Sequence, residues 1–351
     1  MSARKGLNEG LNQPKIIRAA IIGLGWWGEN IIRRLSGSSI VRICLAVDVF
    51  PDRHRVAEAF GIAFAGELRI ALADPDIDIV ILATPHSLHP EQIEQTARAG
   101  KHVFCEKPLA LETADAVRSI DLCKRANVRL GIGHERRFES AMMDLRAMID
   151  SGELGTLMHV EANFSHDKLA NVQKGNWRDA PNVAMTGTGI HLTDAFINLF
   201  GAIKEVNATI TGRAAFSENG DVASVQVIFA SGMTGYLSAI LATPLYMRFA
   251  VFGRNAWVEI RNDTHPDTSG AAQMVISHSD GRKENRTYEW HDTVKENIEM
   301  FARSLSGEVE YPFTDEQKIG NVAVLAAVHR SALSGAPATV DWGNWSVTTG
   351  S

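Results

Sequence analysis

The sequence predicts two domains of different class: an α/β domain built on a parallel sheet, followed by an α+β domain with an open-faced, mainly antiparallel sheet. Three observations favour this prediction. The 351 residues are about twice the length of a usual domain. In the first third of the chain, short runs rich in β-branched residues alternate with helical patterns. After about Gly133, most segments alternate apolar and polar residues as half-exposed strands do.

The alternation in the first third is typical of βαβ units around a parallel sheet. Pro90 suits the first turn of its helix because that position needs no amide donor, and Gly100 suits the helix end. The predicted strands cover residues 16–22, 40–47, 77–83, 102–105 and 128–132, and the predicted helices cover residues 27–35, 53–60, 90–99 and 113–126.

The alternating pattern in the rest of the chain predicts the second domain. We expect the two domains to cover residues 1–134 and 135–351. The predicted strands there cover residues 157–165, 206–211, 223–229, 234–241, 249–252 and 257–260, and the predicted helices cover residues 139–149, 190–200 and 315–333. A sheet with one exposed, alternating face favours self-association, so a homodimer or homotetramer is expected.

Composition excludes several classes of protein. Apolar residues make up 45% and charged residues 22%, as in a soluble globular protein. The net charge of −6 gives no general attraction to phosphate backbones or anionic lipid, so neither nucleic acid nor a membrane is an expected partner. No apolar run approaches the ~20 residues of a membrane span. Cys44, Cys105 and Cys123 cannot all pair, which fits a reducing cytoplasm.

The first predicted strand runs into Gly23-Leu24-Gly25-Trp26-Trp27-Gly28, which opens a helix. Asp48 ends the second strand, 20 residues after Gly28. A strand, a GxGxxG turn, a helix and a later acid together form the dinucleotide-binding fingerprint of a Rossmann domain. Gly23 permits the tight turn, Gly25 lets the backbone approach the pyrophosphate, and Gly28 lets the helix pack closely. The alternative is a strand-turn-helix without a ligand.

The acid at the second strand favours NAD over NADP as the cofactor. The Asp48 carboxylate accepts hydrogen bonds from ribose hydroxyls, and its charge repels a 2′-phosphate. Arg53 and Arg55 follow closely and would soften that repulsion if either reached the adenosine end, so NADP stays possible.

Two loops beyond strand ends carry further polar residues, where open parallel sheets bind their ligands. Thr84-Pro85-His86 and His89 follow one strand, and Glu106-Lys107-Pro108 follows the next. Lys107 is interpreted as a cation that anchors a substrate hydroxyl and stabilises a developing alkoxide, with a surface ion pair to Glu106 as the alternative. His86 and His89 have no clear third ligand, so no metal site is predicted. His89 is expected to cap the following helix or to line the cofactor cleft.

The chain resembles the Gfo/Idh/MocA family of NAD(P)-dependent oxidoreductases, named for glucose-fructose oxidoreductase and inositol dehydrogenase. The resemblance covers nearly the whole chain and rests on AAIIGLGWWGENIIRRL, ATPHSLHPEQIEQTARAGKHVFCEKPLAL, GIGHERRF and GIHLTDAFINLFG. It implies a cleft between a Rossmann domain and an open-faced sheet domain, and oligomers that often pack through the sheet. The predicted cofactor contacts are Gly23, Gly25, Trp26, Trp27, Gly28, Asp48, Arg53, Thr84, Pro85, His89, Glu106 and Lys107.

His191 near the start of a predicted helix is the candidate acid/base, because histidine is suited to proton transfer near neutral pH. The alternative is a histidine that only caps or packs the helix start. Asp194, one turn on, would orient His191 or stabilise the helix start through its charge. The family's sugar and cyclitol dehydrogenases carry an Asp four residues before this His, where this chain has Gly187. Lys107 and His191 are therefore the matching catalytic pair.

The segment 163–178 is placed beside the substrate by the resemblance, with an ordinary solvated loop as the alternative. Trp177 would stack on a sugar face, and Arg178 would bind hydroxyls or a carboxylate. Either Arg136 or Arg137 is expected to border the cleft. The predicted substrate contacts are His166, Lys168, Trp177, Arg178, His191 and Asp194.

The expected function is an NAD-dependent dehydrogenase that interconverts a secondary alcohol and a ketone on a sugar, cyclitol or related polyhydroxylated small molecule. Two alternatives stay open, and Gly187 favours the first of them. One is an NAD-binding regulator that keeps the fold. The other is a glycoside-processing enzyme in which NAD is oxidised and reduced within one turnover.

Overall fold

The computed structural model describes residues 16–170, 176–178, 183–214 and 220–343. Its first sheet is parallel throughout, and its strand order is β3-β2-β1-β4-β5-β6. The order reverses between β1 and β4, which opens a crevice at the carboxyl ends of these strands. The strands are β1 (Ile17–Ile22), β2 (Val41–Val47), β3 (Ala63–Ala65), β4 (Ile79–Leu82), β5 (His102–Cys105) and β6 (Leu130–Ile132).

Five helices connect these strands: α1 (Trp26–Leu35), α2 (His54–Ala59), α3 (Leu68–Ala73), α4 (His89–Arg98) and α5 (Thr113–Arg125). The α/β class with a parallel sheet is confirmed. The sequence did not predict β3 and α3, which have 3 and 6 residues. Segments this short show too few repeats for either period to be visible.

The second sheet is also confirmed as mainly antiparallel; only the β7–β10 pair is parallel among its described strands. Its order is β14-β13-β12-β11-β7-β10-β9-β8-β15. The strands are β7 (Leu157–Ser165), β8 (Ile203–Thr211), β9 (Val222–Phe229), β10 (Thr234–Ile240), β11 (Tyr246–Gly253), β12 (Ala256–Asn262), β13 (Ala272–His278), β14 (Lys283–Tyr288) and β15 (Ala338–Thr339).

The described part of the chain after β6 has four α-helices: α6 (Ser140–Asp150), α7 (Ile190–Phe200), α8 (Thr293–Leu305) and α9 (Asp315–Ser334). Helix α9 begins with a capping box of Thr314 and Gln317 and ends at Gly335, whose φ is 67°. Helices α7 and α9 pack on one face of the sheet, where Phe196 meets Phe229 and Phe249. No helix in the described ranges is long and apolar enough to cross a membrane.

Helix α8 was not predicted, although Val294, Ile298 and Phe301 have helical spacing. It packs on the first sheet rather than the second, and Phe301 lies 5.7 Å from Phe104 of β5, measured between ring centroids. Asn297 of α8 and Lys318 of α9 donate to carbonyl groups of β6, each over 2.9 Å. Helices α8 and α9, from the later part of the chain, therefore complete the packing around the first sheet. The division of the chain into two domains after residue 134 stays a prediction.

A buried ion pair joins the end of the first domain to α7. Arg137 donates to both carboxylate oxygens of Asp194, at 2.6 and 2.8 Å, and the two side chains are only 4% and 5% exposed. Arg137 also donates to the Pro312 carbonyl and to Gln317 at the start of α9. One guanidinium thus fixes three segments around the cleft.

Asp194→Asn should lower the free energy of unfolding by about 3 kcal/mol, because the substitution leaves a buried guanidinium without its counter-charge. Urea denaturation, monitored by circular dichroism, measures the free energy of the unfolding transition that occurs at the lowest urea concentration. Asp150→Asn is the matched control, since its partner Arg146 and Asp150 itself are 44% and 57% exposed. Its effect should stay within about 0.5 kcal/mol. Equal effects of the two substitutions would contradict a structural role of the buried pair.

Candidate functional site

The glycine turn between β1 and α1 has the geometry that its sequence predicts. Gly23 has a φ of 93°, and a Cβ atom there would lie 2.6 Å from the Ala83 carbonyl oxygen. A Cβ atom on Gly28 would lie 1.9 Å from the Gly23 carbonyl oxygen, so the helix can approach only without a side chain. A Cβ atom on Gly25 would meet nothing within 4 Å. The absence of a side chain at Gly25 is thus not required by protein packing, and it leaves room for a ligand's pyrophosphate.

Asp48 closes the adenosine side of this turn. Its carboxylate accepts hydrogen bonds from the backbone amides of Leu24 and Phe50, at 2.7 and 2.9 Å. This holds the half-exposed carboxylate beside the glycine turn, where a ribose would bind. Arg53 is exposed in the turn before α2, and Trp26 is 58% exposed at the first position of α1. The residues present fit a dinucleotide, and the individual contacts remain predictions.

Substitutions at Gly25 and Gly28 should have separate effects, the first on NAD affinity and the second on the stability of the fold. Gly25→Val should weaken NAD binding at least tenfold and leave the melting temperature nearly unchanged, because its side chain meets the ligand and not the protein. Gly28→Ala should lower the melting temperature, because its Cβ collides with the Gly23 carbonyl. Calorimetric titration with NAD and thermal unfolding measure the two effects. A large loss of stability in Gly25→Val would contradict this assignment.

The loops after β4 and β5 lie together because these strands are neighbours in the parallel sheet. His89 joins them: Nδ1 lies 2.8 Å from the Pro108 carbonyl oxygen and Nε2 lies 3.1 Å from the Thr84 carbonyl oxygen. The ring is fully buried, and burial lowers the pKa of His89. The expectation that His89 caps α4 is wrong, because the ring binds loop carbonyls instead. In the described part of the chain, no three His, Cys, Asp or Glu residues are arranged to hold a metal ion.

Lys107 extends from the end of β5 into the second domain. Its Nζ donates to the Gly187 carbonyl oxygen over 2.9 Å and lies 3.5 Å from that of Thr186. Both carbonyls belong to a π-helical turn, Met185–Gly189, that leads into α7. The alternative of a surface ion pair with Glu106 is wrong, because Glu106 is buried against Gly133, where a Cβ atom would lie 2.5 Å from its carboxylate oxygens.

Two buried carboxyl groups accompany Lys107. Burial and the neighbouring Glu135 raise the pKa of Glu106 to about 8. Burial raises the pKa of Glu135 to about 7, against the opposing charge of Lys107. Burial lowers the pKa of Lys107, which the two carboxylates partly restore. Near neutral pH, Glu106 and Glu135 are therefore partly protonated. Their remaining negative charge still acts on the Lys107 ammonium.

Glu106→Gln should raise the melting temperature at pH 8 by on the order of 2 °C and change it little at pH 5. The native pKa of Glu106, about 8, exceeds the 4.5 of an unperturbed group. The folded state therefore binds this proton more tightly, and stability falls as pH rises between these values. Differential scanning fluorimetry across pH 5 to 8 measures the profile. Glu112→Gln, at an exposed site, should leave it unchanged. A Glu106→Gln profile parallel to the native one would contradict the assigned pKa.

His191 lies at the second position of α7 and is buried. Its Nδ1 has no hydrogen-bond partner, and the ring of His134 meets it edge-on at a centroid distance of 5.9 Å. Burial and the charge of Lys107 hold the pKa of His191 well below its usual range. The imidazole is therefore neutral near pH 7 and able to accept a proton. It makes no capping bond at the start of α7.

Gly187 faces an apolar wall. A Cβ atom on Gly187 would lie 3.1 Å from Cδ1 of Leu169 and 3.8 Å from Cδ2 of Leu241. A carboxylate at this position would be pressed against these leucines. At this position the backbone carbonyl of Gly187, rather than a side chain, accepts the hydrogen bond from Lys107.

The structure corrects one predicted substrate contact, Asp194, and places a second, Lys168, in an ion pair. Asp194 neither orients His191 nor lies in the first turn of α7; both of its carboxylate oxygens bind Arg137, and it is 3% exposed. The ammonium of Lys168 binds both carboxylate oxygens of Asp267 at 2.7 Å. Neither side chain thus offers an unengaged charge to a substrate.

The remaining predicted contacts lie around the cleft. Trp177 packs edge-on against His86 at a centroid distance of 4.8 Å, and the Arg178 guanidinium lies 4.1 Å from the Trp177 ring. This contact brings the segment 176–178 against the first domain, while Trp177 stays 38% exposed. His166 is buried beside Phe164. Arg136 borders the same ring, 5.0 Å from the Phe164 centroid, and pairs with Glu139.

Sequence reasoning missed four polar residues that the fold brings to this region: His134, Glu135, His265 and Asp267. His134 and Glu135 stand in the quoted GIGHERRF run but were not assigned roles. His265 and Asp267 lie between β12 and β13, in a segment that carries no motif. Only the pairing of β12 with β11, and of β11 with β7, brings that segment to the cleft.

The fold and this cleft define a two-domain dinucleotide-binding protein of the oxidoreductase class, with a lysine and a histidine where the domains meet. The chain belongs to the Gfo/Idh/MocA family. The family model described as an oxidoreductase family with an NAD-binding Rossmann fold matches residues 17–134, and the model of the GFO/IDH/MocA C-terminal domain matches residues 142–259.

Individual relatives agree with this membership. An uncharacterised oxidoreductase of Schizosaccharomyces pombe is 35% identical over 142 residues, which is 40% of this chain and 38% of the relative, so the match spans well under half of that protein. D-xylose 1-dehydrogenase (NADP+) 2 of Haloferax volcanii is 27% identical over 82% of this chain and 88% of its own. The crystal structure of aldose-aldose oxidoreductase from Caulobacter crescentus superimposes with a TM-score of 0.82 at 25% identity, covering 93% of this chain and 100% of that one.

Proposed function

We propose that this protein is an NAD-dependent oxidoreductase that interconverts a secondary alcohol and a ketone on a sugar, cyclitol or related polyol. One observation carries the proposal. The Lys107 ammonium, at the strand end beside the crevice, binds the Gly187 carbonyl four residues before the neutral His191. A cation and a proton acceptor thus converge beside a dinucleotide-binding turn.

The glycine turn and Asp48 would hold the cofactor, which supplies the hydride acceptor when bound. The amides at the start of α1 face its pyrophosphate, and Asp48 accepts from its ribose hydroxyls. The exposed Arg53 leaves NADP as a second possibility.

Lys107 would hold the oxygen of the reacting carbon. An ammonium partly shielded from water stabilises negative charge on that oxygen more strongly than water does. Burial lowers the pKa of Lys107, and the charges of Glu135 and Glu106 oppose this and favour the protonated ammonium. Its bond to the Gly187 carbonyl directs Nζ toward the second domain.

His191 would take the hydroxyl proton. A neutral imidazole is the competent form, and the lowered pKa of His191 keeps it in this form near pH 7. Trp177 and Arg178 border the same region and would contact the ring and hydroxyls of the substrate. The D-xylose dehydrogenase and the aldose-aldose oxidoreductase act on sugars by their names, which supports a polyol as the substrate class.

Lys107→Met should lower kcat/KM for polyol oxidation at least 100-fold, because the variant lacks the cation that stabilises the alkoxide. The Kd for NADH, measured by fluorescence, should change less than about threefold. NADH formation is followed at 340 nm with myo-inositol, D-xylose and D-glucose. Lys283→Met, an exposed site on β14, is the control and should match the native protein. Equal rates for Lys107→Met and the native protein would exclude the assigned role of Lys107.

Gly187 is the observation that favours one other function, a regulator, and glycoside processing is a further alternative. Without the family carboxylate, a regulator would bind NAD and form no NADH with any polyol. A glycoside-processing enzyme would retain NAD through purification and release a free sugar from a glycoside without net NADH. The same assays, with p-nitrophenyl glycosides added, separate the three functions.

We also infer a homodimer or homotetramer in the cytoplasm. Support for self-association comes from the outer face of the second sheet, where Ile228, Tyr236 and Trp257 are 41%, 37% and 38% exposed. Support for a reducing compartment comes from Cys44, Cys105 and Cys123, which are all free thiols.

A further inference from the structure

The segment 263–271, between β12 and β13, carries a histidine–carboxylate pair. Nδ1 of His265 lies 2.7 Å from Oδ1 of Asp267, and their side chains are 17% and 8% exposed. A carboxylate can only accept, so Nδ1 carries the hydrogen. In the neutral imidazole the lone pair is then on Nε2, which leaves that atom as a hydrogen-bond acceptor.

Several groups hold Asp267 in place. The Lys168 ammonium binds both of its carboxylate oxygens at 2.7 Å, and the Thr268 hydroxyl donates to Oδ1 over 2.9 Å. Lys168 also lies 5.7 Å from the ring of Trp26, at the start of α1. Arg34 of α1 donates to the Asp267 carbonyl oxygen over 2.7 Å. The pair is therefore anchored to the helix that opens with the glycine turn.

His265 lies in the same cluster of rings as His191. The Phe164 ring centroid is 5.9 Å from that of His191 and 5.5 Å from that of His265. The His166 ring meets His265 edge-on at 5.1 Å. The proposed proton acceptor and the oriented imidazole of His265 thus pack against the same phenyl ring.

We infer that His265 binds a hydroxyl of the polyol next to the reacting carbon, with Asp267 and Lys168 as positioning residues that fix its ring. The inference rests on the proposed function. A substrate whose reacting carbon lies between Lys107 and His191 extends along Phe164, and its next hydroxyl donates to Nε2 of His265. This residue therefore contributes to substrate selection and not to the proton transfer.

The test compares His265→Phe with the native protein and with His278→Phe. The control removes a histidine that pairs with Glu284 over 3.0 Å on β13 and β14, outside the cluster. Binding of myo-inositol, D-xylose and D-glucose to the NADH-loaded protein is measured by calorimetry, and KM and kcat are measured with NAD. Thermal unfolding verifies that each variant is folded.

His265→Phe should raise the polyol Kd and KM at least tenfold and change kcat less than threefold, with NADH binding unaltered. His265→Gln should restore part of the affinity because its amide oxygen can accept the same hydrogen bond. Asp267→Asn should lie between the native protein and His265→Phe. His278→Phe should match the native protein.

Unchanged polyol affinity in His265→Phe would overturn the assignment, and so would a failure of the folded native protein to bind any of the three polyols. Polyol binding without NADH formation would refute the proposed oxidation alone, and the affinity of His265→Phe would then still decide the role of His265. If His265→Phe does not fold, the comparison of His265→Gln and Asp267→Asn with the native protein decides it.

Discussion

The bond from the Lys107 ammonium to the Gly187 carbonyl is the interaction on which the arrangement of the cleft depends. It joins the end of β5 to the turn before α7 over 2.9 Å and so places a cation of the first domain beside His191 of the second. The Gly187 carbonyl that accepts this bond belongs to the π-helical turn Met185–Gly189. Helix geometry and site chemistry are thus coupled at this point.

A buried cation needs compensation, and the structure provides it at several distances. Glu106 and Glu135 surround Lys107 with carboxyl groups whose raised pKa values limit their net charge. Arg137 and Asp194 neutralise each other nearby and fix the start of α9. His134 and His191 stay neutral because burial lowers their pKa values. The side chains of the cleft are therefore polar, and their charges nearly cancel. A small change of charge on a bound oxygen then changes its interaction energy with these side chains strongly.

The parts of the site that sequence reasoning located are those coded by local patterns. The glycine turn with Asp48, and Lys107 at a strand end, are short segments whose conformation follows from neighbouring residues. The role expected for Asp194 was wrong, because its carboxylate pairs with Arg137, which is distant in the sequence. Lys168 likewise pairs with the distant Asp267. Helix α8 has a clear amphipathic pattern, but nothing in that pattern indicates that the helix packs on the first, parallel sheet.

The sequence by itself determined the two fold classes and the dinucleotide turn, because periodicity and glycine spacing act over a few residues. Its longer motifs identified the family. Tertiary structure alone decided that Gly187 offers a carbonyl against a wall of Leu169 and Leu241, and that His265 and Asp267 stand beside Phe164. These contacts join segments up to about a hundred residues apart. Their geometry depends on how the strands of the second sheet are ordered and on how both domains pack together.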